Sequence, residues 1–549
     1  MTTNNGTPVD AHCDFVIIGA GSAGCVLADR LSANGRWKVV VIEAGGEHNR
    51  LFVRMPLGYG KLFDDHSLNW CYETERDPRM GGRSDFWPRG KILGGSSSIN
   101  AMVYIRGQKE DFDAWAKLGN TGWDFESVLP YFKKSEDNDF GAGPLHGAGG
   151  PLSISSIDRH AHPTINAMID AGVNLGYPRN ADFNGPSQEG VGLYQFAFRD
   201  GRRSSNAVAF LERARRRPNV EVWTHTLVDR IVFEGQAAET VELVRNGQRV
   251  RLRATKEILL CAGAIGSPAI LERSGVGDGA LLRDRGIAVV HHNAQVGANL
   301  QDHTQSGMAW KASVPTINNV LDTLPKQIWA GMKYVFARRG PLSLSINQGG
   351  AFLRTRPELD RPDTQLYFLP MSFDSDPAKP KMTPDSFPGV LMTVSPCRPT
   401  SRGTVHIKDR DPASAPAIVP NVLSTDEDMR VMVDSLKILL RLASTRPLAD
   451  LLVERVRPTR TLATDDDFAR HALETGKTTY HASCTCTMGP DPARSVVDPE
   501  LKVHGLRKLR VIDASVMPAV VSGNTNAAST MIGEKGADLV ARGAGDGRR

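Results

Sequence analysis

Asp14-Phe15-Val16-Ile17-Ile18-Gly19-Ala20-Gly21-Ser22-Ala23-Gly24 reads as a buried strand, a tight turn and the start of a helix. A second apolar strand, Lys38-Val39-Val40-Val41-Ile42, ends on Glu43. Together they form a dinucleotide-binding βαβ pattern, in which an acidic residue roughly 20 residues beyond the glycines holds a ribose hydroxyl. Gly19 and Gly21 let the backbone turn and approach a pyrophosphate that a side chain would block, and Gly24 lets the helix pack close to the strand. The helix N-terminus offers unpaired N–H groups and a positive dipole end to the phosphates. The motif alone does not separate FAD from NAD.

At 549 residues the chain is too long for one core. A hydrophobic content of 40% and a charged content of 23% are those of a soluble globular protein. The net charge of +5, with both signs interspersed, gives no basis for a nucleic-acid partner. The apolar runs fall short of the ~20 residues of a membrane span. Met1 to Gly6 is expected to be a short disordered lead and not a signal peptide. Seven scattered cysteines point to a reducing compartment. The expected location is cytoplasmic, with peripheral membrane contact left open, and a homo-oligomer is left open too. Cys484 and Cys486 have no zinc-spaced partners, so no metal site is expected, and they read as packing residues.

Strand-like runs at 14–19, 38–43, 257–261 and 509–512 predict an α/β fold around a parallel sheet assembled from distant pieces. Cys261-Ala262-Gly263-Ala264-Ile265-Gly266-Ser267-Pro268 repeats the strand, turn and helix logic, with Ser267 expected as N-cap and Pro268 as first helical residue. From about 311 to 465 the texture changes. Short strands such as Leu391-Met392-Thr393-Val394 stand among turns at Pro357, Pro362, Pro377, Pro380, Pro384 and Pro388. That pattern predicts an inserted antiparallel sheet, α+β overall. The expected division is a discontinuous cofactor domain over 12–155, 200–310 and 466–545, and a substrate domain over 156–199 and 311–465.

Gly90-Lys91-Ile92-Leu93-Gly94-Gly95-Ser96-Ser97-Ser98-Ile99-Asn100 is a second glycine-rich, donor-rich loop. It resembles the first signature of the glucose–methanol–choline (GMC) oxidoreductases, and the run from Gly263 to Gly277 resembles the second. The resemblance extends over nearly the whole chain. It includes Asn69-Trp70, Tyr104-Ile105-Arg106-Gly107, Gly297 to His303, Tyr480-His481, Asp513 to Pro518 and Gly523-Asn524-Thr525-Asn526. It is strongest toward bacterial choline dehydrogenase-like alcohol dehydrogenases.

The resemblance implies a GMC fold and bound FAD. Gly19, Gly21, Ser22, Ala23, Gly24, Glu43 and Ala44 would serve its adenosine diphosphate half, with Val228 meeting the adenine through its backbone. Gly95, Ser96, Asn100 and Ala101 would lie along the flavin, and Trp70, Gly94, Val103, Ala262 and Gly263 are further implied FAD contacts. Asp513, Ala514 and Asn526 would touch the ribityl–flavin region, and a helix beginning near Asn526 would present its positive end to the reduced ring. His481 is the implied catalytic base, worth ~10²–10⁴-fold. Asn524 is its implied partner in positioning the substrate oxygen. His303 is expected to cap structure.

The expected reaction is oxidation of a primary alcohol to an aldehyde by hydride transfer to flavin N5, with a quinone or dye as acceptor. The alternatives are an oxidase that makes hydrogen peroxide from O₂, a choline dehydrogenase, or a cyanohydrin lyase. Choline-specific relatives carry a Glu where Gln348 stands in this chain, and a neutral amide loses the attraction for a trimethylammonium head, which favours a neutral alcohol. In some relatives a histidine at the position of Ile99 bonds covalently to the flavin, and Ile cannot do so. Trichloroacetic acid precipitation of the yellow protein is therefore expected to leave the flavin in the supernatant. A yellow pellet would contradict this.

Overall fold

The computed structural model describes residues 11–378 and 382–545, so the Met1–Gly6 lead and Pro380 lie outside the described residues. Two seven-stranded sheets organise the chain. The first contains β1 (Ala11–Ile18), β2 (Val39–Ile42), β4 (Val220–Trp223), β5 (Thr226–Glu234), β6 (Ala237–Arg245), β7 (Gln248–Leu260) and β14 (Leu509–Val511). The second contains β3 (Gly190–Leu193), β8 (Thr304–Ala312), β9 (Gly349–Leu353), β10 (Thr364–Leu369), β11 (Gly389–Pro396), β12 (Leu452–Arg457) and β13 (Lys477–Thr478). Five helices bear on the argument: α1 (Ser22–Ser32), α2 (Gly263–Arg273), α3 (Leu324–Ala337), α4 (Asp426–Ala443) and α5 (Asn526–Gly543).

The first sheet runs β4-β2-β1-β7-β6-β5, with β14 also on β7. Its first half is parallel, as the continuous apolar strands predict: Ile17 faces Val41 on one side and Leu259 on the other. The other half, β5, β6 and β7, forms an antiparallel meander that those apolar runs do not announce. The cause is local. Asn246 and Gly247, at φ 50° and 75°, make the two-residue turn whose twist suits a tight hairpin, closed by the pair Arg245–Gln248.

Helix α1 lies over β1, and α5 crosses α1 closely because Gly533 has no side chain; a Cβ there would sit 2.9 Å from Ala23 Cα. The crossing is clamped by Arg30, whose guanidinium bonds the buried Glu534 carboxylate at 2.5 to 3.1 Å. Each charge has a second partner at the crossing, Lys134 for Glu534 (3.2 Å) and Asp29 for Arg30 (3.4 Å).

One expectation is corrected at α2. It starts at Gly263 with Ala262 as N-cap, so Ser267 and Pro268 lie inside the helix. Ser267 Oγ accepts from Ala262 N (3.1 Å) and donates to Asp513 (2.6 Å). Pro268 has no N–H for the Ala264 carbonyl, which instead accepts the Thr485 hydroxyl at 2.7 Å.

The second sheet, β12-β8-β11-β10-β9-β3 with β13 on β8, is antiparallel throughout. Its residues alternate between two environments. Leu366, Phe368, Val390, Met392 and Val394 enter a core with Met432, Leu436 and Leu439 of α4. The intervening Tyr367, Leu369, Leu391 and Thr393 line a cavity between the two sheets.

A Cβ on Gly24 would lie 2.0 Å from the Gly19 carbonyl oxygen, whereas one on Gly21 meets only Cys261 O at 3.8 Å. Gly24→Ala is therefore expected to destabilise the apo protein by more than about 2 kcal/mol, and Gly21→Ala by roughly 1 kcal/mol or less. Thermal unfolding of the two variants checks this, and the reverse order would overturn the packing argument.

Candidate active site

A cavity of about 410 Å³ runs between the sheets. Three helices begin at its wall: α1 at Gly21 and Ser22, α2 at Ala262 and Gly263, and α5 at Thr525 and Asn526. None of the three has a side-chain cap among the described residues. The Gly263 N–H at the start of α2 is taken by Asp513 (2.9 Å), and the other first N–H groups with the positive dipole ends form a donor set for anionic and carbonyl oxygens. The space above Gly21 and Gly263 is open, since a Cβ on Gly263 would meet nothing within 4 Å. A dinucleotide with a pyrophosphate fits this chemistry. Glu43, at the end of β2, accepts from Ala20 N (3.0 Å) and Gly45 N (2.8 Å), while burial pushes its carboxyl up to about 7. Its oxygens stand where ribose hydroxyls can donate.

Of the residues singled out from the sequence, the wall carries Gly19, Gly21, Ser22, Ala23, Glu43, Ala44, Trp70, Gly95, Ser96, Asn100, Ala101, Val103, Val228, Ala262, Gly263, Asp513, Ala514 and Asn526, together with His481 and Asn524. Gly24 and Gly94 stand behind it. Gly24 seats α1 on β1, and Gly94, at φ 89°, ties the second glycine loop to the first through its N–H to Ala20 O (2.8 Å). Gln348 is also off the wall. Its amide oxygen accepts His162 N at 2.8 Å, and its neighbour Asn347 lines the cavity instead.

His481 follows Tyr480, which is held at φ 70°. A non-glycine residue there costs about 1–2 kcal/mol, and three bonds hold the turn. Thr478 Oγ1 accepts Tyr480 N (2.7 Å), Arg89 donates to Tyr480 O (2.6 Å), and Asp302 accepts His481 N (2.7 Å). The pairing Thr304–Thr478 between β8 and β13 brings His303 beside His481, with Nδ1 to Nδ1 at 2.9 Å and the rings edge to face. This corrects the expectation that His303 merely caps structure.

The hydrogen-bond network assigns the tautomers. His303 Nε2 can only donate to the Cys397 carbonyl (2.9 Å), so in a neutral ring its Nδ1 accepts. His481 Nδ1 is then the donor, shared with the Thr479 hydroxyl (2.9 Å), whose own proton goes to His303 O. The lone pair of His481 therefore sits on Nε2, facing Asn524 Nδ2 at 3.1 Å. Gln365 Nε2 donates to Asn524 Oδ1 (3.2 Å), and Gln365 Oε1 accepts Tyr367 OH (2.9 Å), which fixes the Asn524 amide with its N–H toward the imidazole. Burial, then His303 and Arg89, hold His481 well below the ordinary histidine range, and burial takes His303 down to about 4. The site thus presents an uncharged base and an amide donor to one point of the cavity. Burial raises the Cys484 thiol to about 12, which keeps it protonated.

Sequence reading missed His303, Thr479, Gln365 and Tyr367 as parts of this network. A signal existed in the polar residues alternating with apolar ones along β10. The meeting of His303 and His481 depends on a strand register that no local pattern shows. Among the described residues, no group of three or more His, Cys, Asp or Glu side chains gathers as a metal site.

A dinucleotide-binding sheet joined to a buried histidine–asparagine pair defines a redox enzyme architecture. The chain belongs to the GMC oxidoreductase family: residues 13–305 match its N-terminal part and residues 399–533 its C-terminal part. Members of that family bind FAD. The chain is 39% identical over 533 residues to an alcohol dehydrogenase [acceptor] of Pseudomonas putida, covering 96% of each chain. It is 40% identical over 545 residues to an oxygen-dependent choline dehydrogenase of Stenotrophomonas maltophilia (strain R551-3), covering 98% of this chain and 96% of that one. The crystal structure of pyridoxine 4-oxidase from Mesorbium loti superposes with a TM-score of 0.87 at 31% identity, covering 96% of this chain and 98% of that one.

The two neutral imidazoles link stability to pH. Their unfolded values lie near 6.5 and their folded values lie lower, so the unfolded chain takes up the protons first and stability is lost as the pH falls below about 6.5. His303→Gln should remove about 2 kcal/mol of the stability loss between pH 7 and pH 5. Urea midpoints at the two pH values measure it, and an unchanged difference would show that His303 is charged in the folded protein.

Proposed function

We propose that the protein is an FAD-dependent alcohol dehydrogenase that converts a neutral primary alcohol to its aldehyde and passes the electrons to a quinone or dye. The observation that carries this reading is the Nε2 lone pair of His481 set 3.1 Å from the Asn524 amide at the cavity wall. Noncovalently bound FAD supplies the two-electron acceptor for the hydride. The glycine loop and α1 would hold the pyrophosphate, Glu43 the ribose and the Val228 backbone the adenine. Gly95, Ser96, Asn100 and Ala101 would lie along the flavin, and Asp513, Ala514 and Asn526 would serve the ribityl–flavin region. Noncovalent binding is supported by Ile99 on the wall and by the engagement of His481 Nδ1 with His303.

A bound alcohol places its oxygen beside both His481 Nε2 and the Asn524 amide, replacing the hydrogen bond these two groups make to each other. The Asn524 N–H donates to that oxygen, and His481 Nε2 accepts its proton as the carbon–hydrogen bond gives up its hydride. The imidazolium so formed keeps its Nδ1–H on His303, so the ring does not rotate while it carries the proton. Tyr59, Phe63, Phe373 and Met382 on the same wall supply apolar surface that suits an aliphatic or aryl chain.

The case against choline rests on the wall and not on Gln348. The acids on the wall are Glu43 and Asp513, the latter engaged by Gly263 N and Ser267 Oγ. Lys477 shares the wall; burial lowers it to about 8, which leaves it cationic at neutral pH. A trimethylammonium head would meet repulsion there. The 39% identity to an alcohol dehydrogenase [acceptor] agrees with a non-oxygen acceptor but is matched by the 40% identity to an oxygen-dependent choline dehydrogenase, and the fit to the pyridoxine 4-oxidase structure favours an oxidase as the second reading. Hydrogen peroxide formed in step with aldehyde during aerobic turnover would select the oxidase.

Anaerobic addition of a neutral primary alcohol should bleach the oxidised flavin band, which a lyase would not do. His481→Ala should retain the flavin and slow that bleaching at least ~10²-fold. Near-normal bleaching in the variant would remove His481 from the reaction, and a clear preference for choline over neutral alcohols would overturn the substrate reading.

A further inference from the structure

Helix α3 (Leu324–Ala337) is tied to the fold by one narrow face, with Ala330 and Tyr334 buried. Leu324, Ile328, Trp329, Met332, Val335 and Phe336 are exposed, Phe336 at 85%, Leu324 at 68% and Trp329 at 57%. Spaced i, i+4, i+5, i+8, i+11 and i+12, they form one contiguous apolar arc along a helix ~20 Å long. Lys326 and Lys333, one heptad apart, flank that arc, and Arg338 and Arg339 follow its end. The helix carries no Asp or Glu. Asp322, just before it, is paired with Lys326 at 2.9 Å. Lys333 stands over the Trp329 ring at 5.4 Å.

We propose that α3 is a membrane-docking helix that lays this face into the interface of an anionic phospholipid bilayer. A large apolar arc with Trp and Phe, edged by Lys and Arg, is the pattern of an in-plane interfacial helix: the rings enter the acyl boundary and the basic groups reach phosphates. Charge decides between this occupant and a second copy of the chain. A twofold interface places the same patch on itself, so the basic flank would meet a basic flank with no acid on either helix. A bilayer bearing anionic lipid complements it. No helix among the described residues is long and apolar enough to span a membrane, so the contact is peripheral.

The helix also touches two segments of the cavity wall. Tyr334 Oη donates to Arg54 O (3.4 Å), and the chain then runs into the turn Pro56–Lys61, which carries Tyr59. On the other side Lys326 Nζ donates to Asn319 O (2.9 Å), and the adjacent Asn318 donates to Ser372 O (2.8 Å), next to Phe373. Docking would thus place the bilayer beside wall segments of the cavity. That consequence for a lipid-soluble alcohol or quinone rests on the proposed activity, whereas the docking itself does not.

Flotation of the full-length FAD-loaded protein with vesicles tests the docking. The protein should float with equimolar phosphatidylcholine–phosphatidylglycerol vesicles and stay behind with phosphatidylcholine alone. Trp329→Glu/Phe336→Glu and Lys326→Glu/Lys333→Glu should each cut the floated fraction at least ~10-fold, with melting and dye-linked turnover kept. Wild-type protein that fails to float, or double variants that float equally, would overturn the proposal. So would a dimer in light scattering that Trp329→Glu/Phe336→Glu converts to monomer, because a second copy would then own the face. Should that variant not fold, the lysine pair decides alone.

Discussion

Two short backbone pairings, Thr304 with Thr478 and Gln305 with Lys477, decide whether this site exists. They bring the end of the segment Asn299 to His303 against the turn that carries His481, residues separated by 178 positions in the chain. Everything chemical about the imidazole follows from that contact. His303, with Nε2 committed to a backbone carbonyl, can only accept at Nδ1, so the proton of His481 is drawn to the side away from the cavity. A slip of one residue in the pairing would move the Tyr480–His481 turn out of register with His303, which stands just before β8. The base would then lose the contact that orients it.

The sheet and the cavity show two different degrees of legibility in the sequence. The Gly19–Gly24 loop, β2 and Glu43 were legible because each depends on neighbours within about one βαβ unit. Asn246-Gly247 is an equally local hairpin signal and marks the antiparallel half of the first sheet, yet a reading governed by continuous apolar strands passes over it. Pro268 failed as a helix-start marker for a tertiary reason. The carbonyl it leaves unpaired is taken by Thr485, more than two hundred residues away, so the helix tolerates it. Gln348 shows the same limit at the site. Its type was readable, but whether it or Asn347 reached the cavity depended on how β9 was seated.

The cavity spreads its electrostatics along its length. Three helix starts without an N-cap side chain bring partial positive charge to the wall; Asp513 takes the first N–H of α2, and the starts of α1 and α5 offer their N–H groups to an anion. Near His481, the nearest carboxylate, Asp302, has one oxygen on the backbone N–H of His481 and the other on Thr478, so it orients the turn and does not pair with the ring. Burial also keeps Asp302 itself high, at about 6. An aspartate aimed at His481 Nδ1 would raise the ring's basicity. A neutral histidine in that position does not, and the result is a ring held uncharged at neutral pH.

Such a weak base would be a poor choice for removing an alcohol proton in a separate first step. Under the proposed reaction the balance changes as hydride leaves the carbon. Negative charge arrives beside a buried ring, and a nearby opposite charge favours the protonated imidazole that burial alone disfavours. Proton acceptance at His481 Nε2 is therefore uphill while the alcohol is intact and becomes favourable as its carbon is oxidised, which couples the two transfers. The same argument explains why the amide partner is useful. Asn524 donates without titrating, so it stabilises developing charge on the substrate oxygen and adds no positive charge that would oppose the proton on His481.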